Sequence, residues 1–167
     1  KNILIFMALA SMILGAVAAI GQTNIKRLIA YSSIGHIGYA LAGISTGTIN
    51  GYNSSITYIS IYVIMNLGVF GCIFLMKKDG KYCEDIKDLA GISKQNPILA
   101  ISFLIIMFSL AGIPPLAGFF GKLYIFWVGW KAGYYFLITF ALITSVISIY
   151  YYLRVVKIMF VKDENEI

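Results

Sequence analysis

Gly112-Ile-Pro-Pro-Leu-Ala-Gly-Phe-Phe-Gly-Lys122 interrupts an apolar block that runs over residues 98–128. Adjacent prolines remove two backbone donors and clash with the preceding turn, so a helix over this block has to break at Pro114-Pro115. Gly112, Gly118 and Gly121 flank the break and permit close packing or unusual dihedrals there. Broken backbone inside an apolar block is tolerated where it lines a cavity or is buried in protein. The stretch therefore reads as an interrupted membrane helix with a lysine just beyond the interruption.

Four more apolar blocks surround it, at about residues 3–20, 28–45, 56–76 and 134–160. Each is close to the roughly 20 residues that cross about 30 Å of hydrocarbon. Of 167 residues, 60% are apolar and 12% charged, with a mean hydropathy of +0.86. A soluble domain carries about twice that charge. The expected fold is an all-α integral membrane bundle of five transmembrane helices, the fourth broken, forming a single domain over residues 1–167. The connections agree. Residues 21–24 form a short turn, 46–55 a polar loop, 77–97 the long polar loop and 129–133 a tight turn. Within the long loop, residues 84–89 are expected to form a short surface helix, and the charged tail 162–166 to be frayed.

The net charge of +6 does not point to nucleic acid, because the cations lie between apolar blocks and no soluble basic domain carries a patch. Counted by alternating sides, ten of the 13 Lys and Arg fall on one side. These are Lys26, Arg27, Lys77, Lys78, Lys81, Lys87, Lys94, Arg154, Lys157 and Lys162. Lys1 and Lys131 fall on the other side, and Lys122 lies within a span. The positive-inside rule then puts the N-terminus outside and the C-terminus in the cytoplasm or its organellar equivalent. The chain opens on Lys1 without a signal-peptide pattern and is expected to be a piece of a longer protein. Cys72 and Cys83 have no metal or redox spacing.

Charged groups at membrane depth cost at least ~2.5 kcal/mol on insertion scales, so each asks for a reason. Lys122 has two readings. Held away from water it is a site that gains and loses a proton; near a helix end it is a snorkelling lysine beside a simple kink. His36, the one histidine, stands near the centre of the second span, with Ser32, Ser33 and Tyr39 at helical spacings on one face. That stripe is either a proton relay or a neutral histidine hydrogen-bonded between helices. Lys26 stands ten residues before His36, about 15 Å along a helix. It either continues the stripe through water or anchors the span with Arg27. Asn66 reads as a cross-helix hydrogen-bonding group. The run Tyr150-Tyr151-Tyr152, followed by Arg154 and Lys157, reads as a span nearing the interface. No carboxylate lies inside a span, so a complete proton path would draw acids from elsewhere. There is no phosphate loop, dinucleotide fingerprint or iron–sulfur cysteine set.

Gln22-Thr-Asn-Ile-Lys-Arg-Leu-Ile-Ala-Tyr-Ser-Ser-Ile-Gly-His36-Ile-Gly-Tyr39 and Ser109-Leu-Ala-Gly-Ile-Pro-Pro-Leu-Ala-Gly-Phe-Phe-Gly-Lys122 resemble two signatures of one family. It is that of the antiporter-like subunits of proton-pumping NADH:quinone oxidoreductase, respiratory complex I. Asp88-Leu-Ala-Gly-Ile-Ser93 and Tyr150-Tyr-Tyr-Leu-Arg154 extend the resemblance, which runs essentially end to end. Tyr62-Val-Ile-Met-Asn66-Leu-Gly68 resembles the N-type branch rather than the L and M branches or the multisubunit cation/proton antiporters.

The resemblance implies two inverted five-helix repeats in the whole subunit, of which this chain is the second, with the first repeat and the last helix lying outside it. It implies that Lys122 matches the lysine of the broken helix that ends a half-channel, and that Lys26 and His36 match residues of the central polar axis. It implies proton translocation driven by quinone reduction elsewhere, with NADH, FMN, iron–sulfur clusters and quinone held by other subunits and no cofactor or metal in this chain. The implied partners are other membrane subunits, the missing repeat and the lipid bilayer. The implied location is the bacterial plasma membrane or the mitochondrial inner membrane. A cation/proton antiporter and a non-functional fragment are the alternatives.

Overall fold

The computed structural model describes residues 2–75, 77–78, 81–82, 85–113 and 116–160. Three long helices come first: α1 (Asn2–Ile20), α2 (Ile25–Ser45) and α3 (Ile49–Leu75). A two-residue antiparallel hairpin follows, β1 (Lys77–Lys78) and β2 (Lys81–Tyr82), then a 3-10 turn at Ile86–Leu89 and α4 (Ile92–Gln95). The chain continues as α5 (Pro97–Ala111), α6 (Ala117–Lys131) and α7 (Tyr135–Phe160). Among the described residues, α1, α2, α3 and α7 are each long and apolar enough to cross a membrane. At 1.5 Å per residue, α5 and α6 are each only about 22 Å long, so they cross together or not at all.

The helix ends follow from local chemistry. Asn24 caps α2, its side chain accepting from the amides of Lys26 (2.9 Å) and Arg27 (3.2 Å), a device worth about 1 kcal/mol. Pro97 opens α5 with Asn96 accepting from the Leu99 amide. Gly112 closes α5 in the left-handed region (φ 84). There the Ile113 amide donates to Phe108 O and the Gly112 amide to Ser109 O, both at 3.1 Å, the paired bonds of a Schellman end.

Several expectations need correction. The polar stretch 46–55 is not a loop, because α3 starts at Ile49. Thr48 accepts from the Gly51 amide, and Ser55 donates across to Ala40 O, so the hydroxyls cap the helix and join it to α2. The second span starts earlier too, at Ile25, with Lys26 and Arg27 in its first turn. The short helix of the long loop is not a surface feature. Ile86, Leu89 and Ile92 are buried, closing one end of the bundle. Among the described residues, Asn66 is met by the Tyr62 hydroxyl of its own helix (3.5 Å). Only Tyr150 of the tyrosine run faces outward; Tyr151 and Tyr152 are buried. Cys83, Glu84, Lys162 and the tail lie outside the described residues.

α1 and α2 meet backbone to backbone. A Cβ on Gly15 would fall 2.5 Å from the Gly35 nitrogen, and one on Gly38 would fall 2.9 Å from the Met12 nitrogen. Small residues allow such approach where lipid gives no hydrophobic drive for helices to associate. The buried apolar residues form two clusters. One holds the end of α1, the start of α2, the second half of α3, α5, α4 and the end of α7. The other holds the opposite ends with α6. Outward faces carry large apolar side chains such as Ile3, Ile64, Leu67 and Val146, as a lipid-facing bundle requires.

Arg154 is more than an interfacial cation. Its guanidinium donates to Ile20 O and Gln22 O, both at 2.8 Å, covering the carbonyl of the last residue of α1 and one in the turn that follows it. Arg154→Ala is expected to lower bundle stability by about 2 kcal/mol through two lost charge-assisted bonds. Arg154→Lys should recover only part, because an ammonium lacks the fork. The denaturation midpoint of the detergent-solubilised parent protein checks this, and an unchanged midpoint in the alanine variant would refute it.

Candidate functional site

The site begins at the helix break. Helical side chains lean toward the N-terminus of their helix, so Lys122, in the second turn of α6, reaches back across the gap toward α5. Its Nζ donates to Leu110 O at 3.2 Å. That carbonyl belongs to the last turn of α5, at the negative end of its dipole. The lysine is 4% exposed, which removes the snorkelling arrangement. Its stem runs against Gly112, where a Cβ would sit 3.2 Å from Lys122 Cδ and 3.5 Å from Nζ. Gly112 is favoured by its φ, and a side chain there would also crowd the lysine stem. The Nζ also lies 5.1 Å from the Tyr39 ring centroid, a cation–π distance.

Ser109 ties the two half-helices together. Its hydroxyl accepts from the Gly118 amide (3.1 Å) and donates to Met65 Sδ on α3 (2.8 Å). Gly118 packs directly on the Ser109 carbonyl. A cleft of about 230 Å³ opens beside the break, bounded by Gly112, Lys122 and Phe126 on one side and by Ser145 and Ile149 of α7 on the other.

One turn of α2 away stands His36. Its Nδ1 is hydrogen-bonded to the Tyr58 hydroxyl of α3, and its Nε2 to the Tyr152 hydroxyl of α7 at 2.9 Å. Tyr62 stacks on the imidazole with centroids 4.8 Å apart. Tyr39 is edge-on to the same ring at 6.1 Å, so it faces both His36 and Lys122. The Tyr39 hydroxyl meets Thr144 and Ser145 of α7, each at 3.0 Å. His36, Tyr39, Tyr58, Tyr152 and Thr144 are all buried. Tyr58 belongs to one apolar cluster and Tyr152 to the other, so His36 bridges the two halves of the core.

The fold therefore brings Lys122 and His36 into one polar layer, with Tyr39 between them. Lys26 is not part of it. It stays at the start of α2, its Nζ 5.9 Å from the Phe74 ring centroid. α5 ends at Ala111 and α6 starts at Ala117, while Pro114 and Pro115 lie outside the described residues. Ser32 and Ser33, expected beside the histidine, turn their hydroxyls back to Ile29 O (2.8 Å) and Ala30 O (2.5 Å). The reading of single spans missed Tyr58 and Tyr152. A signal for them existed: Ser54, Tyr58, Tyr62 and Asn66 recur every four residues, as do Thr144, Ser148 and Tyr152, marking one polar face on each helix.

Residues 1–148 match the family model described as NADH:quinone oxidoreductase/Mrp antiporter, transmembrane. The chain is 57% identical over 166 residues to NADH-quinone oxidoreductase subunit N of Pelagibacter ubique, covering 99% of this chain and 35% of that protein. It is 51% identical to subunit N of Parvibaculum lavamentivorans, covering 99% and 34%. It thus spans about a third of the length of the curated relatives it matches. Among solved structures it resembles a chain of Thermus thermophilus respiratory complex I, with TM-score 0.78, 34% identity, and 98% of this chain and 37% of that one covered. It also resembles a chain of the Mrp complex of a Dietzia species, with TM-score 0.86, 25% identity, and 96% and 30% covered. With the broken α5–α6 span, its buried lysine and the matched residues in view, the chain belongs to the NADH:quinone oxidoreductase/Mrp antiporter transmembrane family.

Proposed function

We propose that this chain is the proton-translocating part of an N-type membrane subunit of an NADH-quinone oxidoreductase, coupled to electron transfer from NADH to quinone. One observation carries the reading: the buried Lys122 amine rests on a carbonyl freed by the helix break and shares Tyr39 with His36. A neutral packing helix needs no such group, and burying one is costly. Lys122 acts as the proton site at the break, and His36 as the relay in the middle of the layer. Lys26 is the group on the cytoplasmic or matrix side from which water leads inward. NADH, FMN, iron–sulfur clusters and quinone belong to other subunits, which together with the rest of this subunit and the bilayer are the partners. The higher identity to subunit N relatives favours this over a cation/proton antiporter without redox coupling.

Native electrophoresis of membranes bearing the natural gene, probed for this segment, tests the assignment. Migration in a large assembly with NADH dehydrogenase activity supports it; a small free species without that activity overturns it. His36→Ala in the full-length parent is expected to slow proton pumping several-fold. The loss should be smaller than that of a Lys122 variant, because the vacated space lies between two tyrosine hydroxyls and is large and polar enough for a bridging water. Fluorescence quenching in inverted vesicles measures it, and a loss equal to that of the lysine variant contradicts the ranking.

A further inference from the structure

The proton route through His36 is set by what its two ring nitrogens touch. The serines at helical spacing do not touch them; their hydroxyls return to carbonyls of their own helix. The Tyr39 hydroxyl is taken by Thr144 and Ser145. Both nitrogens are instead occupied by tyrosine hydroxyls from two other helices, Tyr58 of α3 and Tyr152 of α7. These tyrosines and the histidine are fully or almost fully buried, at 1%, 0% and 3% exposure. A proton reaching either nitrogen therefore comes through a hydroxyl.

Resting on the reading above, we propose that Tyr58 and Tyr152 are themselves proton carriers, and that protons cross the layer along Tyr152 Oη, His36 Nε2, His36 Nδ1 and Tyr58 Oη. The two ends face different surroundings. Tyr152 interacts with Ser32, toward the start of α2. The Tyr58 ring lies against Gly121, where a Cβ would be 3.1 Å from its Cδ2, beside Lys122.

The step balances. With Nδ1 protonated, Nδ1–H donates to Tyr58 Oη while Nε2 accepts from the Tyr152 O–H. A proton delivered to Tyr152 Oη by water forms a new O–H as the old one breaks toward Nε2, giving an imidazolium. The Nδ1–H bond then breaks toward Tyr58 Oη, whose own proton leaves to water or to the Lys122 amine. One proton enters and one leaves, both tyrosines end neutral, and the ring is left in the other tautomer, so each transit is followed by one tautomer exchange.

The test uses the full-length subunit in its membrane complex, with pumping measured per assembled complex. Tyr58→Phe and Tyr152→Phe remove only the hydroxyl and open no space for water. Each is expected to cut pumping by at least about tenfold, the lower range for a lost proton-transfer group, and by more than His36→Ala. Tyr150→Phe is the control. That tyrosine lies two residues from Tyr152 on the same helix but faces outward, 58% exposed, so pumping should be unchanged. Parent-level pumping in both phenylalanine variants overturns the proposal, as does an equal fall in Tyr150→Phe, which would assign the loss to hydroxyl removal anywhere on the bundle. If a phenylalanine variant does not assemble, a ring-fluorinated tyrosine at that position keeps shape and hydroxyl while changing its acidity. An altered rate then supports the carrier role and an unaltered rate overturns it. Silent tyrosine variants beside an inactive Lys122 variant reject this route alone; a silent Lys122 variant rejects the function it rests on.

Discussion

Lys122→Met in the full-length parent is expected to lower proton pumping by at least about tenfold, or about 1.4 kcal/mol in barrier terms, with the complex still assembled. Methionine is close to lysine in length and fills the same space between Gly112 and Tyr39, so a packing defect is not the expected cause. Leu110 O loses its partner, at a cost of about 1–3 kcal/mol, which the remaining packing of α5 and α6 tolerates. Lys122→Arg separates two roles for the charge. Arginine stays protonated in proteins. If Lys122 works by exchanging its proton, the arginine variant assembles and fails to pump. If only a fixed positive charge is needed, it pumps. Normal pumping in the methionine variant would remove Lys122 from the mechanism.

Gly118→Ala is expected to prevent stable accumulation of the subunit. The added methyl group would overlap the Ser109 carbonyl oxygen and approach its carbon to 2.7 Å. Both obstacles are backbone, so no rotamer change relieves them. Overpacking a core costs about 1–3 kcal/mol when side chains can move, and here α5 and α6 must separate. Separation also breaks the Gly118–Ser109–Met65 chain of hydrogen bonds that holds the break against α3. Gly71→Ala is the matched control. No atom lies within 4 Å of a Cβ there, and alanine in a helix interior gains about 0.5–1 kcal/mol over glycine. The amount of assembled complex on native gels should fall sharply for the first and hold for the second. Equal amounts would show that the break is looser than its geometry implies.

Both variants act on features of unequal legibility. The break was readable because prolines act on their own turn and need no partner. Lys122 was readable as a charge in an apolar block, and its reach across the gap follows from the lean of helical side chains. His36 was readable as a site, but its partners were not. They come from positions 22 and 116 residues away, and single-span spacing pointed to serines whose hydroxyls donate to their own helix rather than to the ring nitrogens. Arg154 looked like an interfacial cation because its partners, the carbonyls at the end of α1, are up to 134 residues distant.

The sequence by itself determined the apolar spans, the place where one of them breaks, and which ionisable residues stand at membrane depth. Each of these depends on local composition and backbone chemistry. Only the tertiary structure decided that the polar stretch 46–55 caps and starts a helix, that the Lys122 amine meets the Leu110 carbonyl, and that two tyrosines hold His36. Those outcomes depend on which helix faces which, and in an apolar bundle that choice is made by close approach at small residues and by the pairing of a few buried polar groups.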